Sequence, residues 1–595
     1  MSTFPERIAS AHCTARPSSV HPTNSMSQDD HVKALVRPRL NAVQGPYRGV
    51  LRVDHASPVP LGCECVGLTL QRITADRLHK PVIHKDAVDV LQRPSFNGKQ
   101  GQSTAGTHVF PNQSGPPSGR EYLDVATGSK LHMLLPATKS NVNLCKTLLT
   151  LAILGYPAPH IVSWGKEDDA KDLLGGGSHF AKITGVLEYI NDEKRRDQQD
   201  FDDELVVMID SYDIWFQLPV EVLIARYRAI VADDDERVAR RMGRAFDRED
   251  IHANIVFGAG KRCSPNQIHT LACYPIPESP LPMGLHGGNT DTLMGRNQYS
   301  SFRTRYLNSG YMMGPIGAMR PLLERAKVKL DECANRTGAS FDNGSGASDY
   351  CYHGSDQSIF VEMHGEQEFH REVMRRHHRS GMDDYLDRVM PNRAGSRTPP
   401  SHIQNAPIED FLNPAFTHQA ASDTYLPDKP FEFGITLDYW SLLGHQTSNA
   451  EYDTRYIRHD AALELQVGDQ GMFDCPAKAQ MPDDLPIEAP GLFLEDAQKN
   501  SWRSIPLYTE ICVGTVPVMI HHNSVDKWWR EAQWDKTWWH GRSRGLLEER
   551  RKAGLAQLNE GIPTDAALSM SWEELCPRSV EKELFRDVED PSPVA

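Results

Sequence analysis

One apolar run between acids, ELVVMID at 204–210, constrains the fold more than any other segment. A strand with one solvated face alternates apolar and polar residues, so an unbroken apolar run predicts a strand buried on both faces. Strands of that kind belong to parallel sheets that are covered by helices. The run closes on Asp210, and Asp213 follows three residues later.

The segments before this strand alternate as such a sheet requires. Regular structure begins at 130–141, where an apolar strand ends in a small polar turn, and Asn141 caps an apolar-periodic helix. PHIVSWG at 159–165 predicts the next strand, and a glycine turn with a helix follows over 175–192. The order β-α-β-α-β predicts an α/β fold, a doubly wound and mostly parallel sheet with helices on both faces.

Composition separates the middle of the chain from its flanks. Residues 1–128 are rich in Pro, Ser, His and Gly without a sustained period, which predicts a low-complexity, disordered N-terminal region. Polar, Gly-, Pro- and Asp-rich stretches at about 335–355 and 376–430 predict long loop insertions. We therefore predict one domain over 129–550 that contains these insertions, followed by a helical and polar C-terminal tail at 551–595.

Charge and hydropathy limit the partners of this chain. The sequence has 64 Lys and Arg against 79 Asp and Glu, a net charge of −15, and no sustained basic run, so we expect no nucleic-acid partner. Residues 1–20 lack the apolar core of a signal peptide, and no apolar run is long enough to predict a transmembrane helix. Membrane association would need a segment that is not visible in this chain.

The acids after the buried strand predict a ligand site. In open parallel sheets, ligands bind in the crevice beyond the carboxyl ends of the strands, and Asp210 and Asp213 lie at such an end. Two hard carboxylate ligands suit Mn²⁺ or Mg²⁺ bridged to a substrate phosphate. The alternative is an ordinary turn that Asp210 caps and in which Asp213 is solvated.

Further motifs follow one another in a fixed order around this DSYD segment. They are PATK (136–139), GGGSHFAKI (175–183), FGAGKRCSPN (257–266), RYLNSGYMMG (305–314), SDQSIF (355–360) and HHNSVDK (521–527). Together they resemble the glycosyltransferase domain of collagen lysyl hydroxylases and its fungal and viral relatives. The resemblance covers roughly residues 130–530 and implies a GT-A-like fold.

The resemblance also implies a function, a metal-dependent transfer of a hexose from a UDP-sugar donor to a hydroxyl acceptor on a protein or glycan. It implies Mn²⁺ or Mg²⁺ bound by Asp210, Asp213 and His521, with His522 as the alternative if the register slips by one. The residues that it places at the nucleotide sugar are Thr138, Ser211, Tyr212, Ser309, Gly310, Asn523 and Lys527. The residues that it implies for catalysis near the acceptor are Asp356, Gln357 and Asn308.

Several of these residues also have ordinary structural interpretations. Lys527 would be a surface lysine, residues 308–310 a β-bulge, and Asp356 the N-cap of the helix after it. Five tryptophans in WWREAQWDKTWW (528–539) fit core packing, a sugar platform or an interface, and the sequence does not decide among them.

Departures from the resembled family leave a second hypothesis open. Ser264 stands where the family has a tryptophan, Gly260 stands where it has an acid, and the acidic run before Gln357 is reduced to Ser355 and Asp356. The alternative function is a nucleotide-sugar-binding module of the same fold without turnover. A third hypothesis, an iron oxygenase, would have to use the His-Lys-Asp segment at 84–86, around which no barrel of strands is predicted.

The resemblance implies residence in the lumen of the Golgi or the endoplasmic reticulum. Three N-glycosylation sequons agree with this, at Asn112, Asn335 and Asn343, all in loop-like sequence. Eleven cysteines are too few for a disulfide scaffold in a chain of this length, and their odd number leaves at least one without an intramolecular partner.

Overall fold

A computed structural model describes most of the chain after residue 129. The described ranges are 130–166, 177–294, 297–337, 351–390, 425–467, 475–485, 501–524, 526–566 and 569–587, and all lie in the unit Gly106–Ala595. The disordered region expected at 1–128 and the sequons at Asn112 and Asn343 lie outside the described residues.

The described ranges contain thirteen strands, six of which form the central sheet. In chain order the strands are β1 (Leu131–Pro136), β2 (His160–Val162), β3 (Leu205–Ile209), β4 (Ile214–Phe216), β5 (Ile255–Gly260), β6 (Tyr306–Pro315), β7 (Ile435–Asp438), β8 (Gly444–Gln446), β9 (Thr454–Ile457), β10 (Leu507–Glu510), β11 (Met519–His521), β12 (Ile562–Pro563) and β13 (Ser569–Met570). The central order is β2-β1-β3-β6-β5-β7. Only β6 runs against its neighbours in this sheet, so the predicted mixed α/β fold with a mostly parallel sheet is confirmed.

Helices connect and cover these strands. They are α1 (Val142–Ile153), α2 (Gly177–Ile190), α3 (Glu193–Arg196), α4 (Val220–Met242), α5 (Arg244–Arg248), α6 (Ile316–Thr337), α7 (Asp356–His377), α8 (Gly381–Val389), α9 (Leu463–Val467), α10 (Lys527–Trp534), α11 (Ser543–Lys552), α12 (Ala556–Asn559), α13 (Trp572–Leu575) and α14 (Arg578–Phe585). Among the helices of the described ranges, none is long and apolar enough to cross a bilayer. The sequon asparagine Asn335 lies in α6, so the expected loop position is wrong for this site.

Helix α1 begins where the sequence predicts it. The side chain of Asn141 accepts hydrogen bonds from the backbone N–H groups of Asn143 and Leu144, which satisfies two donors that an uncapped helix would leave unpaired. All five residues of β3 are buried. Because successive side chains of a strand point to opposite faces, the sheet is covered on both faces at β3.

A second sheet, of order β4-β11-β8, adjoins the end of β3. The four residues Asp210–Asp213 form the turn between β3 in the central sheet and β4 in the second one. Strand β11 pairs antiparallel with β4, and this register sets His521 opposite Ile214. The chain thus reaches the same sheet edge twice, about 300 residues apart.

The segment expected as a C-terminal tail packs against the start of the domain. Cys145 of α1 forms a disulfide with Cys576, and the bridge Ile161–Thr564 extends the contact at β2. Two more disulfides, Cys263–Cys273 and Cys475–Cys512, bring the number of paired cysteines within the described ranges to six.

A buried lysine reinforces the same contact. Lys146 of α1 is fully buried, and its Nζ lies 2.6 Å from a carboxylate oxygen of Glu531 and 3.4 Å from one of Glu583. The ammonium also lies 5.4 Å from the ring centroid of Trp534. Helices α1, α10 and α14 are therefore joined by charge as well as by apolar packing.

Candidate metal-binding crevice

The structure brings together the three residues that the sequence pairs as metal ligands. Nε2 of His521 lies 3.5 Å from Oδ2 of Asp210 and 3.5 Å from Oδ1 of Asp213. One potential ligand atom from each residue falls within 4.8 Å of the other two. His522, the alternative ligand, packs its ring on Trp215 at 4.0 Å between centroids, away from this group.

Sheet register and one glycine explain this proximity. The backbone N–H of His522 donates to the carbonyl of Asp213, and that of Asp210 donates to the carbonyl of Gly310, which locks the turn between β11 and β6. A Cβ atom at Gly310 would overlap the imidazole of His521, since it would lie 2.8 Å from Nε2 and nearer to other ring atoms. The absence of a side chain at position 310 is therefore what admits the ring.

The charges of Asp210, Asp213 and His521 affect the pKa values of one another. Burial lowers the pKa of His521, but the negative charges of Asp213 and Asp210 outweigh it and raise that pKa to about 9. Burial raises the pKa of Asp210, yet the Lys182 ammonium and His521 hold it below its usual range. Two carboxylates at this edge thus attract positive charge strongly.

Lys182 is a site residue that the sequence analysis missed. It lies in α2, is 8% exposed, and forms ion pairs with Oδ1 of Asp210 and, at 3.3 Å, with Asp356. Because Lys182 holds Oδ1, the other oxygen of Asp210 is the one that faces His521. The motif GGGSHFAKI contains this lysine, but only tertiary packing reveals that its side chain is buried beside two acids.

Asp356 occupies the first position of α7, after the N-cap residue Ser355. Its carboxylate is buried, accepts a hydrogen bond from the Ser309 hydroxyl at 2.8 Å and pairs with Lys182. It is absent from the described residues that line the crevice. This burial disfavours the predicted role of Asp356 as an acceptor base and favours one in positioning Lys182.

A bulge in β6 carries the neighbouring polar wall. Between β5 and β6 the register jumps from Phe257–Met312 to Gly258–Asn308, so the bulge that the sequence left as an alternative is present. The amide of Asn308 donates to Oε1 of Gln357 at 2.8 Å, and its own oxygen accepts from the N–H of Gly310. Bulges re-aim side chains in this way beside active sites.

The triad of Asp210, Asp213 and His521 and the polar wall of Asn308 and Gln357 border one cavity of about 340 Å³. Its lining residues are Asp210, Asp213, Gly260, Lys261, Arg262, Ser264, Leu307, Asn308, Gln357, Gln446, Ser448, Asn449, His521, Asn523 and Lys527. The volume lies within the range of small-ligand sites. Seven of the residues that the resemblance implies therefore share one cavity, namely three metal ligands, two nucleotide-sugar residues and two catalytic residues.

Asn523 and Lys527 play different parts in this lining. Asn523 is held in place, because its oxygen accepts from the N–H of Ser448 and its amide donates to Gln446, each at 2.9 Å. Lys527 begins α10, is exposed, and has no carboxylate partner within the described ranges. Its ammonium is therefore free to meet an anion.

The remaining predicted nucleotide residues lie beside the cavity rather than in its lining. The Ser211 hydroxyl is buried and donates to the carbonyl of Pro136 at 2.8 Å, while the Tyr212 hydroxyl donates to that of Lys139. The carbonyl of Thr138 accepts from the N–H of Gly165. The Ser211 hydroxyl therefore stabilises the turn after β3 by a hydrogen bond inside the protein.

The tryptophan-rich segment divides between core and surface. Trp534, Trp538 and Trp539 are buried, and the indole N–H groups of Trp534 and Trp538 donate to the carbonyls of Leu584 and Gln217. Trp528, next to Lys527 in the chain, is 64% exposed. Most of the described cluster is thus core packing, with one aromatic ring at the surface.

Two observations test whether a divalent cation fits this triad. Oδ1 of Asp213 and both ring nitrogens of His521 are buried without a hydrogen-bond partner in the described part of the chain. Two carboxylates and one imidazole are ligands that Mn²⁺ accepts and that Mg²⁺ accepts less readily. Among the described residues, the two other groups of potential ligands both contain Cys512, whose sulfur is bonded to Cys475, so they fit a cation poorly.

Comparison with known proteins does not identify the family of this chain. Neither a scan of protein-family models nor a search of curated proteins finds a match to this chain. The family resemblance therefore rests on the collinear motifs quoted above, and what it implies about activity stays a prediction.

Proposed function

We propose that this protein is a metal-dependent glycosyltransferase with a GT-A-like fold that moves a hexose-class sugar from a UDP-sugar to a hydroxyl acceptor. The observation that carries the proposal is the triad of Asp210, Asp213 and His521, two half-buried carboxylates beside a buried imidazole, on the edge of one cavity. The same cavity is lined by Lys527, a cation with no carboxylate partner within the described ranges. A nucleoside diphosphate is the ligand class that matches a divalent cation and a lysine side by side.

Each wall of the cavity has a part in this reaction. The bond from the anomeric carbon to the diphosphate oxygen breaks, and its electron pair leaves with UDP. The acceptor oxygen bonds to that carbon, and the acceptor's proton passes to solvent water. A divalent cation, when bound, neutralises the charge that develops on the diphosphate. Lys527 would hold the same diphosphate, and the amides of Asn308 and Gln357 would hydrogen-bond sugar hydroxyls.

Asp210 and Asp356 share one cation, Lys182. Lys182 neutralises Asp356 and one oxygen of Asp210, which keeps the second oxygen of Asp210 directed toward His521. Ligands that already lie in position need little rearrangement when the cation and substrate arrive. Because the neighbouring carboxylates raise the pKa of His521 to about 9, its ring has to release a proton when it binds the cation.

One observation favours the second candidate, a nucleotide-sugar-binding module without turnover. Asp210 and Asp213 are the only carboxylates among the described residues that line the cavity, and both are assigned to the cation. No other lining side chain is an obvious base for the acceptor proton. Release of UDP from a panel of UDP-sugars, with and without acceptor, separates the two candidates, since only the enzyme releases it.

Binding tests the proposal before any acceptor is known. We expect UDP with Mn²⁺ to raise the melting temperature, because a ligand at 100 times its Kd stabilises the native state by about 2.7 kcal/mol. Chelation of the metal with EDTA should remove the shift. A melting temperature that UDP raises equally with and without Mn²⁺ would contradict the metal role.

Three disulfides favour an oxidising compartment, which supports the lumen of the secretory pathway as the place of action. Cytosolic thiols are held reduced, and structural disulfides rarely persist among them. Non-reducing mass spectrometry of the protein from its native cells tests this, with Cys145 and Cys576 recovered as free thiols being the contrary result.

A further inference from the structure

The crevice also has a basic wall at the end of β5. It is formed by Gly260, the last residue of β5, and by Lys261, Arg262 and Ser264 after it, all of which line the cavity. The wall has two cationic side chains, Lys261 and Arg262. An acid inside the protein neutralises one of these charges and leaves the other available to a ligand.

Lys261 is already neutralised inside the protein. Its side chain is buried, its Nζ donates to the carbonyl of Ser300 at 2.5 Å, and it forms a buried ion pair with Asp453. The lysine therefore anchors the backbone of the wall and has no net charge to offer a ligand.

Arg262 is held in place without being neutralised. Its guanidinium lies 5.2 Å from the ring centroid of Tyr299, a cation–π contact. The next residue, Cys263, is fixed by its disulfide to Cys273. Within the described ranges Arg262 is exposed and forms no ion pair.

The neighbouring arginines behave differently. Arg303 lies 2.5 Å from a carboxylate oxygen of Asp291, and Arg305 lies 3.5 Å from one of Glu278. Arg262 therefore differs from its neighbours, because its guanidinium lines the cavity without a carboxylate partner in the described ranges. An anionic group of a ligand would supply that partner.

We propose that Arg262 binds a carboxylate on the transferred sugar, so that the donor is a UDP-linked hexuronic acid. The inference rests on the proposed function, because it assigns the diphosphate to Lys527 and the cation triad and leaves Arg262 for a second anion. The planar guanidinium binds a carboxylate through two parallel hydrogen bonds, which a neutral hexose cannot supply.

The test compares three ligands by calorimetry in the presence of Mn²⁺, namely UDP, UDP-glucose and UDP-glucuronate. The full-length protein is compared with Arg262→Gln, Arg262→Lys and, as a control for net charge, Lys536→Gln on an exposed residue outside the cavity lining. We expect the unmodified protein to bind UDP-glucuronate at least about tenfold more tightly than UDP-glucose.

The variants assign that preference to one side chain. Arg262→Gln should abolish it while the affinity for UDP stays unchanged, Arg262→Lys should keep part of it, and Lys536→Gln should keep all of it. Equal affinities for the two sugars in the unmodified protein overturn the inference. So does an Arg262→Gln variant that loses UDP affinity to the same extent, because Arg262 would then bind the nucleotide. Absence of any UDP binding refutes the proposed function itself, and the inference with it.

Discussion

Replacing Gly310 by alanine gives the sharpest test of the metal triad. Carbon and nitrogen atoms in ordinary contact lie about 3.5 Å or more apart. The new Cβ would stand 2.8 Å from Nε2 of His521 and nearer to other ring atoms, so the ring has to move by roughly 1 Å or more. Metal sites tolerate deviations of about 0.2 Å, so His521 would no longer be a ligand.

The size of the effect follows from known metal sites. Loss of an outer-shell partner alone lowers metal affinity by about 10- to 100-fold, so loss of a direct ligand should lower Mn²⁺-dependent UDP affinity by about 100-fold or more. Overpacking itself costs about 1–3 kcal/mol, which should lower the melting temperature by only a few degrees.

Calorimetric titration with UDP, with and without Mn²⁺, measures this change, and circular dichroism shows whether the variant is folded. Gly260→Ala is the matched control, because a Cβ there lies in ordinary contact 3.7 Å from the carbonyl oxygen of Tyr306. We expect the control to bind UDP and Mn²⁺ within about twofold of the original protein. A folded Gly310→Ala variant with undiminished Mn²⁺-dependent binding would refute the assignment of His521.

Three further predictions follow from other contacts. Asp213→Asn should weaken Mn²⁺-dependent UDP binding at least about tenfold. Ser211→Ala should cost about 1 kcal/mol of stability, because it removes one neutral hydrogen bond. If both variants had equal, small effects on UDP binding in the same titration, residues 210–213 would be an ordinary turn without a metal site. Cys145→Ser should destabilise the fold by about 2–5 kcal/mol, read as a lower melting temperature, while leaving UDP affinity intact; an unchanged melting temperature would contradict this. Burial lowers the pKa of His364 from 6.5 to about 4, so the neutral ring stabilises the fold fully above pH 6.5 and loses this effect as the pH falls toward 4. His364→Gln should therefore flatten the decline in melting temperature between pH 7 and pH 5, and an identical decline in both proteins would contradict the shift.

The meeting of Asp210, Asp213 and His521 was predicted partly from the residues and partly from the resemblance. The unbroken apolar run predicted the buried strand β3 with the two acids after it, and the motif order of the resembled family placed His521 with them. Sequence alone also predicted the cap of α1 at Asn141, since that cap depends on residues within one helical turn.

What could not be predicted depends on contacts between distant segments. Lys182 lies on a helix whose pattern says nothing about which acid its ammonium meets, and Asp356 is buried only because α7 packs along β6. Strand β4 has three residues, too few for a periodicity. The pairing of Cys145 with Cys576 is one of many combinations that the sequence allows equally.

The separation of the proposed metal ligands along the chain has a consequence for biosynthesis. Asp210 and Asp213 leave the ribosome roughly 300 residues before His521, a delay of about 15–60 s at 5–20 residues per second. During that interval the two carboxylates exist without their imidazole partner, and Lys182, synthesised earlier than both, is the cation available to Asp210. A nascent chain halted before residue 521 should therefore have no high-affinity manganese site, and the full site should form only in the last stage of translation.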